Sequence, residues 1–433
     1  MMATGYSSII GLYILILSVA LYTNGAEVLI MPSSIFPVHR FTMRHLAEEL
    51  VQRNHHVTWV EYGFKKPSIP LPKGVDEIYW QLSLPEQHWM DLYLYRNHSL
   101  HDRIWIADFM DEAQQVSAWM ASIRLCDQAH YPGQLAEAFY LERNASINFV
   151  NTPPIFDFAR PYMPRVNFVG ALHCKKATPL KGDLARFVEG ADKQNGVILF
   201  TTGFTAQWKR APKKVVNAFV EAFTEKKDIR FVWQYDGEKI PNLPSNVFVA
   251  DWLPQQDILG HPKTRAHITH GGLNSVIESV WHGVPVIGYP LTASGVDNLL
   301  RLTARNVGVM LKKRGLTKKT ILRAIDEIYA QKYKDEMLIF QDMVTDVPYT
   351  ELNHSAFWVE FIDRHQDVPH ARSGADQLNV LQYFLVDVIM FLLSVLLILI
   401  TIIYYALKGL LLLLVKFYRS RTAKEEAESK KTK

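Results

Sequence analysis

The residues best suited to do chemistry lie between Trp252 and Asn298. Ala266-His267-Ile268-Thr269 is a short apolar run of the kind that forms a buried parallel strand. His270-Gly271-Gly272 follows as a turn, whose glycines let backbone come close to a ligand. Leu273 to His282 reads as a helix, Gly283 stops it, and Val284 to Tyr289 is the next strand. A glycine turn feeding a helix N-terminus presents free N–H groups and the positive end of the helix dipole. That combination suits an anion, and phosphate is its usual occupant. Asn274 and Ser275 fall in the first helical turn, while Asn274 and Glu278, spaced i,i+4, share one face.

The elements that must position these groups alternate strand and helix. Val197 to Thr202, Ile229 to Gln234 and Val247 to Ala250 are apolar strand candidates, with an amphipathic helix predicted over Ala211 to Lys226. Helical patterns at Lys318 to Tyr329 and Tyr333 to Asp346 close this part. Val347 to His365, with Phe357, Trp358 and Phe361, is expected to pack back across the domain junction. Nearer the start, Glu27 to Met31 and Val57 to Val60 are strands flanking a helix over Phe41 to Asn54, a βαβ unit of the sort that opens a doubly wound sheet. Pro37-Val38-His39-Arg40 is expected to end the loop before that helix. His39 then stands at the C-terminal edge of the first strand, where open α/β sheets bind ligands. Glu77 to Leu82 is a third strand, and Ile104 to Ile123 a core-facing helix.

The stretch from Trp252 to Asn298 resembles the donor-binding signature of the UDP-glycosyltransferases, closest to the membrane-bound UDP-glucuronosyltransferases of animals. Trp252, Gln255, His270, Gly272, Asn274, Ser275 and Glu278 stand where that signature has its residues. The resemblance implies that Trp252 stacks on uracil and Gln255 hydrogen-bonds it, that His270 and the helix N-terminus hold the diphosphate, and that Glu278 accepts from ribose hydroxyls. It makes His39 the base that removes a proton from the acceptor hydroxyl. The family's first turn after Val197 to Thr202 reads Ser-Leu-Gly-Ser; Thr201-Thr202-Gly203-Phe204 keeps a hydroxyl at Thr201 and replaces a phosphate-facing serine by Phe204. After Pro290-Leu291 the family carries an Asp-Gln pair on the sugar hydroxyls, and Ser294-Gly295 stands there instead. After Cys126-Asp127 the resemblance breaks: part of the acceptor domain, with the aspartate that orients the catalytic histidine, is missing relative to the family pattern. The match resumes through Ser146 to Asn151, Pro161 to Pro164 and Gly170 to Cys174.

Composition agrees with a membrane-attached globular protein: 48% hydrophobic and 21% charged residues over 433, with a net charge of only +4. No basic stripe with interleaved aromatics suggests nucleic acid. Neither CxxC nor HExxH occurs, so metal-free chemistry without a cofactor is expected, the UDP-sugar being the donor substrate. Cys126 and Cys174 allow one disulfide or two free thiols. Ile9 to Tyr22 reads as a secretory signal, with an uncleaved anchor as the alternative. Val388 to Leu407 carries no charge and is long enough to span a bilayer; Lys408, Lys416, Arg419 and Arg421 after it place the tail in the cytosol. Lys430-Lys431 resembles a retrieval signal of the endoplasmic reticulum membrane, and Asn97, Asn144 and Asn353 begin N-x-S sequons.

The expected architecture is α/β of the GT-B type: two Rossmann-like domains with a C-terminal transmembrane helix. Its parts are a signal peptide (1–26), a shortened acceptor domain (27–174), a linker (175–182), a UDP-sugar domain (183–365), a span (386–407) and a cytosolic tail (408–433). The expected reaction is inverting transfer of glucuronic acid or another hexose to small lipophilic acceptors. The rival reading is a weak or inactive membrane-anchored UDP-binding protein that associates with full-length relatives.

Overall fold

The computed structural model describes residues 25–32, 37–63, 66–81, 105, 145–203 and 206–431. The signal-like start up to residue 24, most of the helix expected from Ile104, Cys126-Asp127, Asn97, Asn144 and Phe204 lie outside them. One compact unit runs to His370, and a second begins at Ala371.

The larger sheet of the first unit is built from β6 (Val197–Thr201), β7 (Arg230–Gln234), β8 (Val247–Ala250), β9 (Thr264–Thr269), β10 (Val286–Gly288) and β11 (Gly308–Met310). All six run parallel, in the order β11-β10-β9-β6-β7-β8. All five residues of the central β6 are buried, as a strand covered on both faces requires. On one face Phe200, Trp233 and Ile268 pack against Phe219 and Phe223 of helix 213–225 and Ile321 and Ile325 of helix 318–328. On the other, Leu199 and Val232 meet Leu253, Ile258 and Leu259. Helix 273–281 buries Val276, Ile277 and Val280 against Leu299, Leu302, Met337 and Phe340. The boundaries of β6 to β10 and of helices 213–225, 273–281 and 318–328 fall within a few residues of those the hydrophobic periods predict, whereas β11 was not among the expected strands.

The N-terminal part has a three-stranded parallel sheet, β1 (Glu27–Ile30), β2 (His56–Gly63) and β3 (Val75–Gln81), in that order. A separate parallel pair joins β4 (Asn148–Val150) to β5 (Val166–Phe168). Helix α1 spans Pro37–Gln52 and buries Leu46, Ala47 and Leu50 over β1 and β2. It therefore starts four residues before the expected Phe41, so His39 lies in its first turn and not in a preceding loop. Proline is at home in a first helical turn, where its missing N–H has no partner to lose, so Pro37 starts the helix instead of ending a loop. Helix 351–365 does pack back onto this layer, but through Leu352, Ala356 and Val359, while Phe357 remains exposed.

Arg40, one residue after His39, is buried at 1% exposure and fixes the first turn of α1. Its guanidinium pairs with Glu61 of β2 and, at 2.8 Å, with Glu77 of β3, and Nε donates to the Ile69 carbonyl at 2.7 Å. Three elements thus converge on one planar cation, a geometry that lysine cannot reproduce.

The second unit contains a helix from Val386 to Lys431 whose stretch Val386–Arg421 is long and apolar enough to cross a membrane. Its aliphatic side chains from Val388 through Leu414 are exposed in the isolated chain, which suits a lipid-facing segment and not a soluble core.

Removing the Arg40 cation leaves the Glu61 carboxylate buried without its ion-pair partner. Arg40→Met is expected to lower unfolding stability by about 3–5 kcal/mol, with much of the loss recovered in Arg40→Met/Glu61→Leu. Denaturant melts followed by circular dichroism check this; a loss below about 1 kcal/mol for the single variant contradicts it.

Candidate functional site

The site is built where β9 ends and helix α2 (Leu273–Trp281) begins. Gly271 has φ +89°, and a Cβ there would fall 2.5 Å from the Gly295 carbonyl oxygen. A Cβ on Gly272 would sit 2.7 Å from the His270 ring. Both glycines are therefore sterically required, the first for its conformation and the second to make room for the imidazole. Gly272 at the N-cap has no side chain with which to close the N-terminus of α2, and among the described residues no side-chain hydrogen bond caps it. Asn298, from helix 293–303, donates to the Gly271 carbonyl at 2.9 Å and is itself held by Arg301 at 2.8 Å.

Beneath the turn lies a connected polar network. Thr201, at the end of β6, donates to Gln255 Oε1 at 2.7 Å and contacts His267 Nε2 at 2.9 Å. Gln255 Nε2 donates to Glu278 Oε2 at 2.6 Å and to Ser275 Oγ at 3.0 Å. Ser279 completes the circuit, 2.7 Å from His267 Nδ1 and donating to the Ser275 carbonyl at 2.7 Å. Glu278 is only 2% exposed, so the Gln255 amide, itself held by Thr201 and Ser275, replaces water that a buried carboxylate gives up. A ligand reaches this carboxylate only by displacing the groups that now cover it.

Trp252 has the opposite character. It is 55% exposed and lines a cavity of about 180 Å³ with Thr202, Gly203, Gln234, Asp236 and Asp251. Gly203 connects the two regions, since a Cβ there would lie 3.2 Å from His270 Cε1. The structure therefore joins Thr201, Gln255, Ser275 and Glu278 in one network, sets His270, Gly272 and Asn274 at its turn, and puts Trp252 on the adjoining cavity.

Asn274 brings in the N-terminal part: its amide donates to Thr42 Oγ1 of α1 at 2.7 Å, with Asn151 3.5 Å away. Thr42 is one helical turn after His39, so the two share a face of α1. His39 is exposed, and the protein around it holds its imidazole below the ordinary value, favouring the neutral ring a base needs. Among the described residues no carboxylate bonds to it, and Asp127 lies outside them.

Thr42, Asn151, His173, Gln256, His267 and Asn298 are site neighbours that the sequence reading did not select. Most come from segments remote in sequence, and neither period nor spacing marks them. Gln256 alone carried a local signal, next to Gln255. It donates to the His173 carbonyl at 2.8 Å and accepts from Lys175 N–H at 2.8 Å, clamping the segment after β5. Cys174 in that segment is a free thiol, raised well above its usual range by burial and by the Glu278 charge.

Comparison with known proteins bears directly on this arrangement. Residues 128–421 match the family described as UDP-glucoronosyl and UDP-glucosyl transferase. The chain belongs to this family. Human UDP-glucuronosyltransferase 2B17 is 33% identical over 290 residues, 66% of this chain and 53% of that protein. UDP-glucuronosyltransferase 2C1 of Oryctolagus cuniculus is 38% identical over 240 residues, 55% and 47% of the respective chains. The chain thus spans about half the length of the curated relatives it matches. Among solved structures, a UDP-glucosyltransferase from Polygonum tinctorium superposes with TM-score 0.54 at 17% identity, over 78% of this chain and 98% of that one. The calicheamicin glycosyltransferase CalG4 gives 0.52 at 17%, over 78% and 99%. At such identities the likeness is one of fold, and the fold is GT-B.

Against that family pattern, the Ser294-Gly295 departure has a physical reason in this UDP-glycosyltransferase-family chain. A Cβ at 295 would stand 2.5 Å from the His270 carbonyl oxygen, so the helix carrying it packs directly on the turn. Ser294 is exposed, with its hydroxyl 3.2 Å from Thr292 Oγ1.

Burial keeps both histidines of the site neutral. His270 is lowered to about 4, and His267, through burial and then the neighbouring His270, to about 3. Unfolded, each titrates near 6.5, so the unfolded chain binds the extra protons as the pH falls below that value. Stability from the neutral rings is thus fully present above pH 6.5 and declines from about 6.5 down to about 4 for His270 and about 3 for His267, by up to ~1.4 kcal/mol per pH unit for each ring. Thermal melts across this range should show a falling midpoint, with a shallower slope in His270→Asn. An unchanged slope in that variant contradicts the assignment.

Proposed function

We propose that this chain binds a UDP-sugar on the turn and network between Thr201 and Glu278 and transfers the hexose, glucuronic acid or glucose, to a small lipophilic acceptor with inversion and without a metal. The observation that carries this reading is the uncapped, glycine-lined N-terminus of α2 directly over the Gln255–Glu278–Ser275 network. Family membership supports UDP as the nucleotide, and the relatives named as glucuronosyltransferases support the sugar class.

In the proposed complex the diphosphate lies at the first turn of α2, where the uncapped N–H groups and the dipole favour anions. A neutral His270 donates one N–H to a phosphate oxygen, and its Nδ1 has no hydrogen-bond partner among the described residues. Trp252 offers its exposed face to the base, a contact worth roughly 1–3 kcal/mol. Glu278 accepts from the ribose once Gln255 yields its hold and turns to the uracil. His39 takes the proton as the acceptor oxygen bonds to the anomeric carbon and UDP leaves, which inverts that centre. With Ser294-Gly295 in place of the charged pair, the sugar itself adds little to donor affinity.

The span at 386–407 anchors the chain in the endoplasmic reticulum membrane, with the catalytic part lumenal and the basic tail cytosolic. Asn353, exposed in the first turn of its helix and accepting from Arg53, is the acceptor sequon within the described residues.

The test is UDP release by the full chain in detergent with UDP-glucuronate or UDP-glucose and a panel of phenolic and steroid acceptors. Release should require an acceptor and fall by about 10²-fold or more in His39→Ala. Acceptor-dependent turnover that survives His39→Ala overturns the assigned base.

A further inference from the structure

His173 is 1% exposed, yet among the described residues neither ring nitrogen makes a hydrogen bond. A buried imidazole in that state needs an explanation, because an unmet donor or acceptor costs free energy that folding seldom leaves unrecovered. The ring is not loosely placed. Gln256 grips the backbone on both sides of it, at the His173 carbonyl and the Lys175 N–H, and Phe41 of α1 meets it edge-on at 6.1 Å between centroids.

The neighbour that Nε2 does have is Glu278 Oε1, 3.2 Å away but off the line of a hydrogen bond. Oε2 of the same carboxylate accepts from Gln255 in this structure, a hold that the proposed complex releases, and Oε1 makes no such bond among the described residues. A nitrogen able to donate and an oxygen able only to accept therefore stand side by side, each with capacity left. One hydroxyl group fits both: its O–H donates to the carboxylate, and its oxygen accepts from the imidazole N–H.

We infer that His173 and Glu278 Oε1 together form a two-sided anchor for one ribose hydroxyl of the bound nucleotide, with His173 a nucleotide-contacting residue supplied by the segment after β5. The inference rests on the UDP reading of the site. It adds a donor from outside the strand–turn–helix unit, so recognition of the ribose depends on the segment between the two parts of the fold staying docked. A Gln256 that lets that segment go would weaken the same contact indirectly.

Binding of UDP, 2′-deoxy-UDP and 3′-deoxy-UDP to the full chain in detergent, by calorimetry, tests this for the wild type, His173→Ala and His173→Gln. The wild type should prefer UDP over one deoxy analogue by about tenfold or more. In His173→Ala that preference should shrink several-fold, while affinity for that deoxy analogue stays within about twofold of wild type. His173→Gln, which keeps an N–H donor, should retain more of the preference than His173→Ala. Equal loss of UDP and deoxy-UDP affinity in both variants means His173 is only packing and overturns the inference. Wild type that binds all three nucleotides alike also overturns it while leaving the UDP reading intact. Wild type that binds no UDP removes that reading and the inference with it.

Discussion

A carboxylate taken out of water has to be met by hydrogen-bond donors, and the half of this fold built on the six-stranded sheet is arranged around meeting one. Glu278 projects from the middle of α2 into a region sealed by β6, β9 and the 255–259 helix. The Gln255 amide reaches it at 2.6 Å and is fixed in turn by Thr201 and Ser275. Thr201 and Ser275 lead through His267 and Ser279 back to the same helix. Each member limits where the others can be, so the turn at His270 to Gly272 is held from below by side chains and from above by the backbone of Gly295. An anion site made of backbone N–H groups needs such rigidity, because its donors have no rotamers with which to adapt.

The same constraint explains what the sequence made legible. His270-Gly271-Gly272 and the apolar period of 273–281 are local signals: a glycine where φ is positive, buried residues one turn apart, a strand on either side. Strands β6 to β9 were legible for the same reason: a strand buried on both faces such as β6 is short, apolar and rich in β-branched or aromatic residues, and its neighbours keep much of that character even toward the edge at β8. The start of α1 was not. Pro37 punctuates loops and also opens helices, and only the packing of Leu46 and Leu50 under β1 and β2, with Arg40 tied to Glu61 and Glu77, decides between the two. His173 and Thr42 were invisible because their partners are distant in sequence. No spacing rule relates an imidazole after β5 to a carboxylate on α2.

The two ends of the site also differ in kind. Trp252 is open to solvent beside a small cavity, while Glu278 is buried and hydrogen-bonded and His270 is buried with an unpartnered Nδ1 among the described residues. The Thr42–Asn274 hydrogen bond covers the first turn of α2 from the α1 side, so the helix that carries His39 is physically linked to that turn. In the proposed complex a nucleotide entering from the Trp252 side would exchange protein hydrogen bonds for its own, group by group, which would keep the difference between empty and filled sites modest in buried polar terms.

The central claim is that the N-terminal turn of α2 is where a uridine diphosphate binds. Hydrogen–deuterium exchange of the full chain with and without saturating UDP reads those amides directly. The account predicts slower exchange across 270–276 and around 252–256 on UDP addition, with β1 to β3 unchanged. Exchange at 270–276 that is indifferent to UDP, while the nucleotide demonstrably binds, would contradict it.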